Sequence, residues 1–398
     1  MVDLNELSAQ EIGRRLKVAR ETAGLKQDEA AQFIDVSRPT LVSIEKGGRP
    51  PRIQELQILA KHYGTSVNAL LRREAIHEDL LPRFRKLKDT EDADTIYAVR
   101  IFNNLISADV ELENLLGVPR HRNYPPEKGI NQGDVIELAE KHAEELRSFL
   151  GLGPGPIADI FSIIELTIGI RLYQSKLPPS SKIAGLFTYN EAVGACIFLN
   201  INHPLPKRVQ SAAHELGHFY GTRQNPEVLE FDEIFTSREE RYANAFGRAF
   251  LTPASSFIES FRKLKAITSP DKISRRLVVL LSHQFNISRE ACIRRMEELS
   301  LAPKGTFDWF QDHGGIPDKQ ADSILGDLPR PADPWKSGAD RLLSHRLSWM
   351  AHTAWKRELL SEGELANLLD LTRPELRGII DEIETEDKNS DELFKCNR

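Results

Sequence analysis

Cysteine is scarce in this chain: its 398 residues contain only three, Cys196, Cys292 and Cys396. Their odd number and wide spacing exclude a disulfide framework and a thiolate zinc knuckle. No apolar run approaches the ~20 residues that a membrane-spanning helix needs. The first residues also lack the basic segment and apolar stretch of a signal peptide. These absences predict a cytoplasmic protein with no membrane partner.

A strong net charge is also absent, although the charge is unevenly distributed. The formal net charge is −6, with 28% charged and 40% hydrophobic residues, which is ordinary for a globular protein. Residues 11–73 hold twelve Lys and Arg against seven Asp and Glu, so this part carries +5 and the remainder about −11. A basic module on an acidic body places any nucleic-acid contact near the N-terminus. The length predicts two to four domains.

The N-terminal residues predict a bundle of five short helices between Ile12 and Leu71. The third helix has Ser37 as its N-cap, carries Pro39 in its first turn and closes at Gly47. A tight turn joins the second and third helices. This arrangement is typical of a helix-turn-helix, in which the second helix can enter the major groove of DNA.

The stretch LKQDEAAQFIDVSRPTLVSIEKGGRPP, residues 25–51, resembles the phage-repressor (Xre) helix-turn-helix family. The resemblance implies that Gln27 contacts phosphate and that Arg20 pairs with Glu45 within the fold. It also implies that Arg38, Pro39 and Ser43 face base edges. Arg38 could make a bidentate contact to guanine. We therefore expect double-stranded operator DNA as a partner and a homodimer on paired half-sites. The DNA-binding residues predicted in this way are Gln27, Arg38, Pro39, Thr40, Ser43 and Lys46. The alternative is a helical bundle that binds proteins.

An internal repeat extends this pattern to the C-terminal part. Residues 25–44 align without gaps with residues 360–379, LSEGELANLLDLTRPELRGI, and eight of the twenty positions are identical. Residues 281–296 show the same succession of helix, serine turn and helix. Because residues 379–392 are strongly acidic, the 360–379 unit would repel phosphate. We expect the two later units to be packing or regulatory helices, with DNA contact as the less favoured alternative.

The whole chain predicts a mainly α protein with a small β-sheet. Residues 1–75 would form the helix-turn-helix domain and residues 76–130 a helical linker. Residues 131–300 predict an α+β domain, with a strand near 170–177 and two strands within 183–200. Residues 301–398 predict a helical C-terminal domain. Its segment 305–345 is rich in Pro, Gly and aromatic residues and could be a lid or connector.

The stretch SAAHELGHFYG, residues 211–221, has two histidines four residues apart and a glutamate after the first. On a helix, His214 and His218 project from one face and could offer two imidazole nitrogens to a metal. Glu215 lies beside them and could take a proton from water. Apolar neighbours predict a largely buried helix. The alternative is a pair of core histidines that bond to backbone carbonyls.

A third ligand could come from a helix predicted at 238–251. Glu240 follows the second histidine by twenty-two residues, which suits a helix that folds back across the first. Glu240 also fits a capping box with Ser237, as Glu239 does with the preceding threonine. If Glu239 caps the helix, Glu240 is free to bind metal. Asn244, one turn later, could then support a ligand from the second layer of contacts.

Residues 131–300 also resemble the ImmA/IrrE metallopeptidases. The matching pieces are GPI at 155–157, AAHELGHFY at 212–220 and EERYANAFGRAFLTP at 239–253. The resemblance implies a zincin-like peptidase fold that binds Zn2+. The residues it implies are the metal ligands His214, His218 and Glu240 and the general base Glu215.

Two functions stay open on these residues. The first is a transcriptional regulator whose zinc endopeptidase cleaves a helix-turn-helix repressor, or the chain itself within residues 72–126, in response to a signal. The second is a non-proteolytic repressor or antitoxin whose peptidase-like domain is a sensor or scaffold. For proteolysis, the edge of the strand GACIFLN at 194–200 could hold an extended substrate. Candidate donors to an oxyanion are Tyr189, Tyr220 and Tyr242.

Overall fold

The computed structural model describes residues 9–65, 67–71, 93–130, 132–224, 227–230, 237–326 and 342–389. Contacts within the chain divide it into two compact units, residues 1–79 and residues 80–398. The fold is mainly helical with one small sheet, as the sequence predicts. The finer division into four domains stays a prediction.

The described part of the first unit is a bundle of five helices, as predicted. Arg20 and Glu45 pair inside it at 2.6 Å, as the family resemblance implies. Gly13 lets α1 cross α3 closely, because a Cβ at this position would lie 2.3 Å from the carbonyl oxygen of Ile44. The helices are α1 (Ala9–Thr22), α2 (Gln27–Phe33), α3 (Arg38–Glu45), α4 (Ile53–His62) and α5 (Val67–Leu71).

The second unit contains the sheet and the remaining helices. Its strands are β1 (Arg171–Ser175), β2 (Ile183–Asn190), β3 (Gly194–Asn200) and β4 (Glu227–Glu230). Its described helices are α6 (Ala93–Leu116), α7 (Val135–Phe149), α8 (Ile160–Ser162, continued by a π-helix, Ile163–Ile168), α9 (Leu205–Gly221), α10 (Arg238–Leu251), α11 (Ala254–Thr268), α12 (Arg275–Gln284), α13 (Arg289–Glu298), α14 (Thr306–Asp312), α15 (Asp318–Leu325), α16 (His345–Lys356), α17 (Glu362–Leu368) and α18 (Arg373–Asn389). Among the described helices, none combines the length and apolar character needed to cross a membrane.

The four strands form one sheet in the order β1-β3-β2-β4. β3 pairs with β1 in parallel and with β2 in antiparallel orientation. The prediction that β3 offers an edge to a substrate is therefore wrong, since both of its sides are already paired. All seven residues of β3 are buried. Its continuous apolar run is the pattern of an inner strand, covered on both faces.

The internal repeat is present in the backbone as well as in the sequence. Asp35, Asn286 and Asp370 occupy equivalent turn positions with left-handed φ angles of 52°, 53° and 54°, a conformation that Asp and Asn tolerate better than most residues. In each copy of the repeat, the amide of the following residue donates a hydrogen bond to the carbonyl oxygen five residues earlier. The three bonds run from Val36 to Ala31, from Ile287 to Ser282 and from Leu371 to Ala366. The three units therefore share one turn geometry.

A buried ionic network ties α6 and α16 to the sheet. On α6, Asp109 and Glu113 contact Arg171 of β1 at 2.8 and 2.6 Å. Both carboxylates also contact Arg120, each at 3.1 Å. Arg346 of α16 lies 3.0 Å from Glu113. Because buried charges are tolerated only when they are paired, these contacts fix the three elements together.

Glu165 of the π-helix lies next to this network and makes the stability depend on pH. Burial raises the pKa of its carboxyl from 4.5 to about 7. The folded chain therefore keeps a proton that the unfolded chain releases between these values. The contribution of Glu165 to the free energy of unfolding is therefore full below pH 4.5 and is lost as the pH rises to 7. The loss amounts to about 3 kcal/mol.

Glu165→Gln should remove this dependence, because an amide does not titrate. The measurement is the free energy of unfolding in urea between pH 5 and pH 7.5, wild type beside the variant. Glu259→Gln, at an exposed position on α11, is the matched control and should keep the wild-type slope. Parallel curves for the wild type and Glu165→Gln would contradict this account of Glu165.

Candidate metal centre

Helix α9 carries the His-Glu-x-x-His motif into the interior of the second unit. Pro204 precedes the helix as its N-cap and Pro206 lies in its first turn, where a fixed φ and a missing amide hydrogen cost nothing. His214 is 2% exposed and His218 is 0% exposed. This confirms the predicted buried helix.

Three glycines allow α10 to cross α9 at unusually short range. A Cβ on Gly217 would lie 2.9 Å from the Cα of Ala243, and one on Gly221 would lie 2.4 Å from the Tyr242 ring. A Cβ on Gly247 of α10 would lie 3.0 Å from the main chain of α9. Glycine inside a helix costs ~1 kcal/mol relative to alanine. Here that cost permits the close crossing that brings the first turn of α10 to the histidines.

His214, His218 and Glu240 converge at this crossing. The two Nε2 atoms are 3.0 Å apart. Glu240 places Oε2 3.3 Å from Nε2 of His214, and Oε1 3.3 Å from Nε2 of His218. The three possible ligand atoms lie within 4.8 Å of one another. The fold thus brings together the three residues that the sequence analysis selected as ligands.

The hydrogen bonds around His218 determine which nitrogen faces the cluster centre. Burial lowers the pKa of His218 against the opposing effect of Glu240, so the imidazole is neutral. Its Nδ1 lies 3.1 Å from Oγ1 of Thr222, whose hydroxyl donates to the His218 carbonyl. Thr222 therefore accepts the Nδ1 hydrogen, which leaves the lone pair on Nε2. Burial acts to raise the pKa of the Glu240 carboxyl, but the proximity of His214 and His218 outweighs burial, so the pKa is lowered and the carboxylate is ionised.

This donor set fits zinc. Zn–N and Zn–O bonds of about 2.0–2.2 Å in a tetrahedron separate two ligand atoms by about 3.3–3.6 Å. The separations of 3.0 and 3.3 Å in this cluster are close to that spacing. Two imidazoles and one carboxylate also match the three-ligand sites that leave a fourth position open. Converging lone pairs in a buried place are stabilised best by a cation.

The first turn of α10 assigns different tasks to Ser237 and Glu240. Ser237 is the N-cap and accepts a hydrogen bond from the Glu240 amide at 3.1 Å. The Glu240 carboxylate turns to the histidines, so only half of the capping box forms. Asn244 donates from Nδ2 to the carbonyl oxygen of Glu240 at 3.0 Å. Asn244 thereby braces the main chain of this turn. The threonine at 236 lies outside the described residues.

Glu215 lies beside the ligand cluster and not within it. Its side chain is fully buried and is directed at β2, where a Cβ on Gly185 would lie 2.5 Å from Oε1 of Glu215. Gly185 therefore provides the space that this carboxylate occupies. Gly185 and Thr222 are not among the site residues predicted from the sequence. A glycine inside a strand was the available signal, because it often marks a close approach.

Of the tyrosines considered as oxyanion donors, Tyr242 is engaged elsewhere. Its hydroxyl lies 2.9 Å from Nδ1 of the buried His142. Tyr220 is 2% exposed and its ring packs against Phe246. Tyr189, at the end of β2, is half-buried and stays the candidate among the three.

In the first unit, three of the six residues predicted to contact DNA are exposed, two at the start of α3 and one just after its end. The Arg38 side chain is 60% exposed and lies 3.7 Å from Asp28. Pro39 and Lys46 are exposed, and Thr40 and Ser43 are half-buried. The start of α3 is therefore accessible to a groove.

Gln27 is placed differently from the expectation. Its side-chain amide donates to Oε2 of Glu45 at 2.9 Å. Gln27 thus belongs to the Arg20–Glu45 pair, and in this structure its side chain does not reach outward to phosphate.

Comparison with known proteins finds a match for each unit. Residues 167–297 match the family described as IrrE N-terminal-like domain, and residues 11–73 match a helix-turn-helix domain. The HTH-type transcriptional regulator ImmR of Bacillus subtilis (strain 168) is 31% identical over 91 residues, which span 21% of this chain and 72% of that protein. The crystal structure of Bacillus thuringiensis PlcR with the peptide PapR7 and DNA aligns over 97% of this chain and 100% of that chain. The identity in that alignment is 11% and the TM-score is 0.16, so it does not show a shared fold.

Removing the carboxylate of Glu240 should weaken metal binding, because the cluster then loses its one anionic ligand. We expect Glu240→Ala to lower zinc affinity more than ~100-fold, beyond what the loss of a supporting residue causes. The measurement is zinc content by mass spectrometry together with competition against a chelator. Glu239→Ala removes the neighbouring carboxylate on the same helix and should retain wild-type affinity. Equal losses in the two variants would rule out Glu240 as a ligand.

Proposed function

The chain belongs to the helix-turn-helix transcriptional regulators that carry an IrrE-like domain, and we propose that it binds operator DNA through α3 and cleaves a protein with a zinc centre on α9 and α10. The observation that carries the proposal is the convergence of His214, His218 and Glu240, with Glu215 buried beside them. Ligands and a neighbouring carboxylate in this order are the parts of a hydrolytic zinc site.

The residues of the site have separable tasks. His214, His218 and Glu240 would hold zinc, which when bound acts as a Lewis acid and lowers the pKa of water toward ~7. Glu215 takes the proton of the attacking water on its carboxylate and returns it to the leaving amine. Thr222 keeps His218 in the tautomer that binds metal, and Asn244 holds the turn that positions Glu240. Gly185 leaves Glu215 the room to act as a base.

The substrate is a protein, either a repressor with a helix-turn-helix or the chain itself. Within the stretch 72–126, residues 93–116 form the helix α6, half of whose residues are buried, so this part is a poor site for a cut in the folded chain. Residues 72–92 lie outside the described part. Proteolysis in response to a signal would then couple the peptidase to gene expression.

The DNA contact is proposed from charge and exposure. Residues 11–73 carry +5, and Arg38 stands exposed at the first position of α3. The N-terminus of such a helix reads base edges in the major groove, and a homodimer would place two of these helices on paired half-sites. Pro39, Thr40, Ser43 and Lys46 complete the proposed surface.

Glu215→Gln tests the peptidase most simply, because the amide keeps the size of the side chain but cannot take a proton. The variant should bind zinc like the wild type and lose cleavage by about 10²–10⁴-fold. Cleavage is followed as a time course on gels with the intact chain and with a candidate repressor. Glu239→Gln should cleave at the wild-type rate. Undiminished cleavage by Glu215→Gln would refute the base assignment, and zinc binding without any cleavage by the wild type would favour the sensor function.

Arg38→Ala tests the DNA contact. Loss of a bidentate contact to guanine should weaken operator binding by about 1–3 kcal/mol and relax the preference at one base pair. The measurement is fluorescence anisotropy with labelled operator DNA at several salt concentrations. Arg14→Ala removes an arginine of similar exposure from α1 and should change the affinity less. An unchanged operator affinity in Arg38→Ala would contradict the proposed orientation of α3.

A further inference from the structure

A cleft of about 940 Å³ opens onto the metal cluster. Its lining includes His214 on α9, and its walls come from α10, α13 and residues 307–317. The volume is within the range of sites that bind ligands, ~300–1,000 Å³. Because His214 belongs to its lining, a ligand in the cleft would lie beside this edge of the cluster.

The charged side chains that line the cleft are mainly positive. Its one lining carboxylate is Glu290, against five cations: Lys207, Arg241, Arg248, Arg289 and Arg294. Three of these arginines pair with carboxylates, Arg248 with Glu298, Arg289 with Asp318 and Arg294 with Glu290. Arg241 is exposed on α10 and makes no ion pair with the described residues, although its charge contributes to lowering the pKa of the Asp134 carboxyl. Arg241 is therefore a guanidinium available to a ligand.

The wall formed by α13 is the second helix of a repeat unit. By the alignment of the repeat, Arg289, Glu290 and Arg294 occupy the positions that Arg38, Pro39 and Ser43 occupy on α3. In the N-terminal copy of the repeat this face of the helix is open. In the copy that contains α13, the same face lines the cleft beside the metal cluster. The Arg294 guanidinium stacks 4.4 Å from the centre of the Phe307 ring, which fixes its position.

We propose that this cleft binds an acidic segment of the protein substrate, with Arg241 on α10 selecting its carboxylates. The proposal rests on the proposed peptidase function. Apolar side chains line the same cleft, so apolar residues of the segment can be buried between the charged ones. They include Ile136, Ile293 and Phe310. This mixture favours a peptide over nucleic acid, whose backbone offers phosphate without apolar side chains.

The test is binding of two labelled peptides to the full-length Glu215→Gln chain, which holds a substrate without consuming it. One is a fluorescein-labelled octapeptide of alternating glutamate and leucine, and the other has glutamine in place of each glutamate. We expect the acidic peptide to bind at least tenfold more tightly. Arg241→Glu should abolish that preference, because it reverses the available charge. Arg262→Glu, at an exposed position on α11 outside the cleft, is the matched control and should preserve it.

Three results would overturn the proposal: equal binding of the two peptides, equal losses in Arg241→Glu and Arg262→Glu, or displacement of the acidic peptide by a DNA duplex, which would assign the cleft to nucleic acid. Because binding is measured without turnover, a wild-type chain that cleaves nothing would refute the peptidase and leave this result standing. Cleavage with no preference for acidic segments would support the peptidase and refute the proposed role of the cleft.

Discussion

The close crossing of α9 and α10 is the constraint on which the rest of the second unit depends. Gly217 and Gly221 on one helix and Gly247 on the other remove the side chains that would hold the axes apart. The first turn of α10 then reaches the histidines, and Glu240 joins them in a cluster that residues of α9 alone could not form. The same crossing buries Phe246 in the main core, so the site and the core are stabilised by one arrangement of helices.

The three helix-turn-helix units share one turn geometry but use it for different purposes. In the first unit it presents Arg38 and its neighbours on an open face. In the second unit the equivalent residues of α13 line the cleft at the metal cluster. The third copy runs into an acidic helix, α18. The turn sets only the angle between two helices, so the side chains on the second helix and the elements packed around it decide what each copy binds.

Much of the architecture follows from local sequence patterns, whereas several details of the site follow from tertiary contacts. The span 238–251 predicted for α10 agrees with the structure, because its N-cap serine and its apolar face are both local signals. The inward bond of Gln27 depends on Glu45, eighteen residues away, and no local pattern reports it. Gly185 and Thr222 matter only because of what packs beside them. The misplaced edge of β3 shows the same limit, since pairing partners are set by the whole sheet.

The proposed zinc site on α9 and α10 has His214, His218 and Glu240 as its ligands. The most direct measurement is anomalous diffraction from crystals of the zinc-loaded chain, with data collected on both sides of the zinc absorption edge. The account requires one anomalous peak in bonding distance of both Nε2 atoms and a Glu240 carboxylate oxygen. A peak at other residues, or none at this crossing in crystals shown to contain zinc, would contradict it.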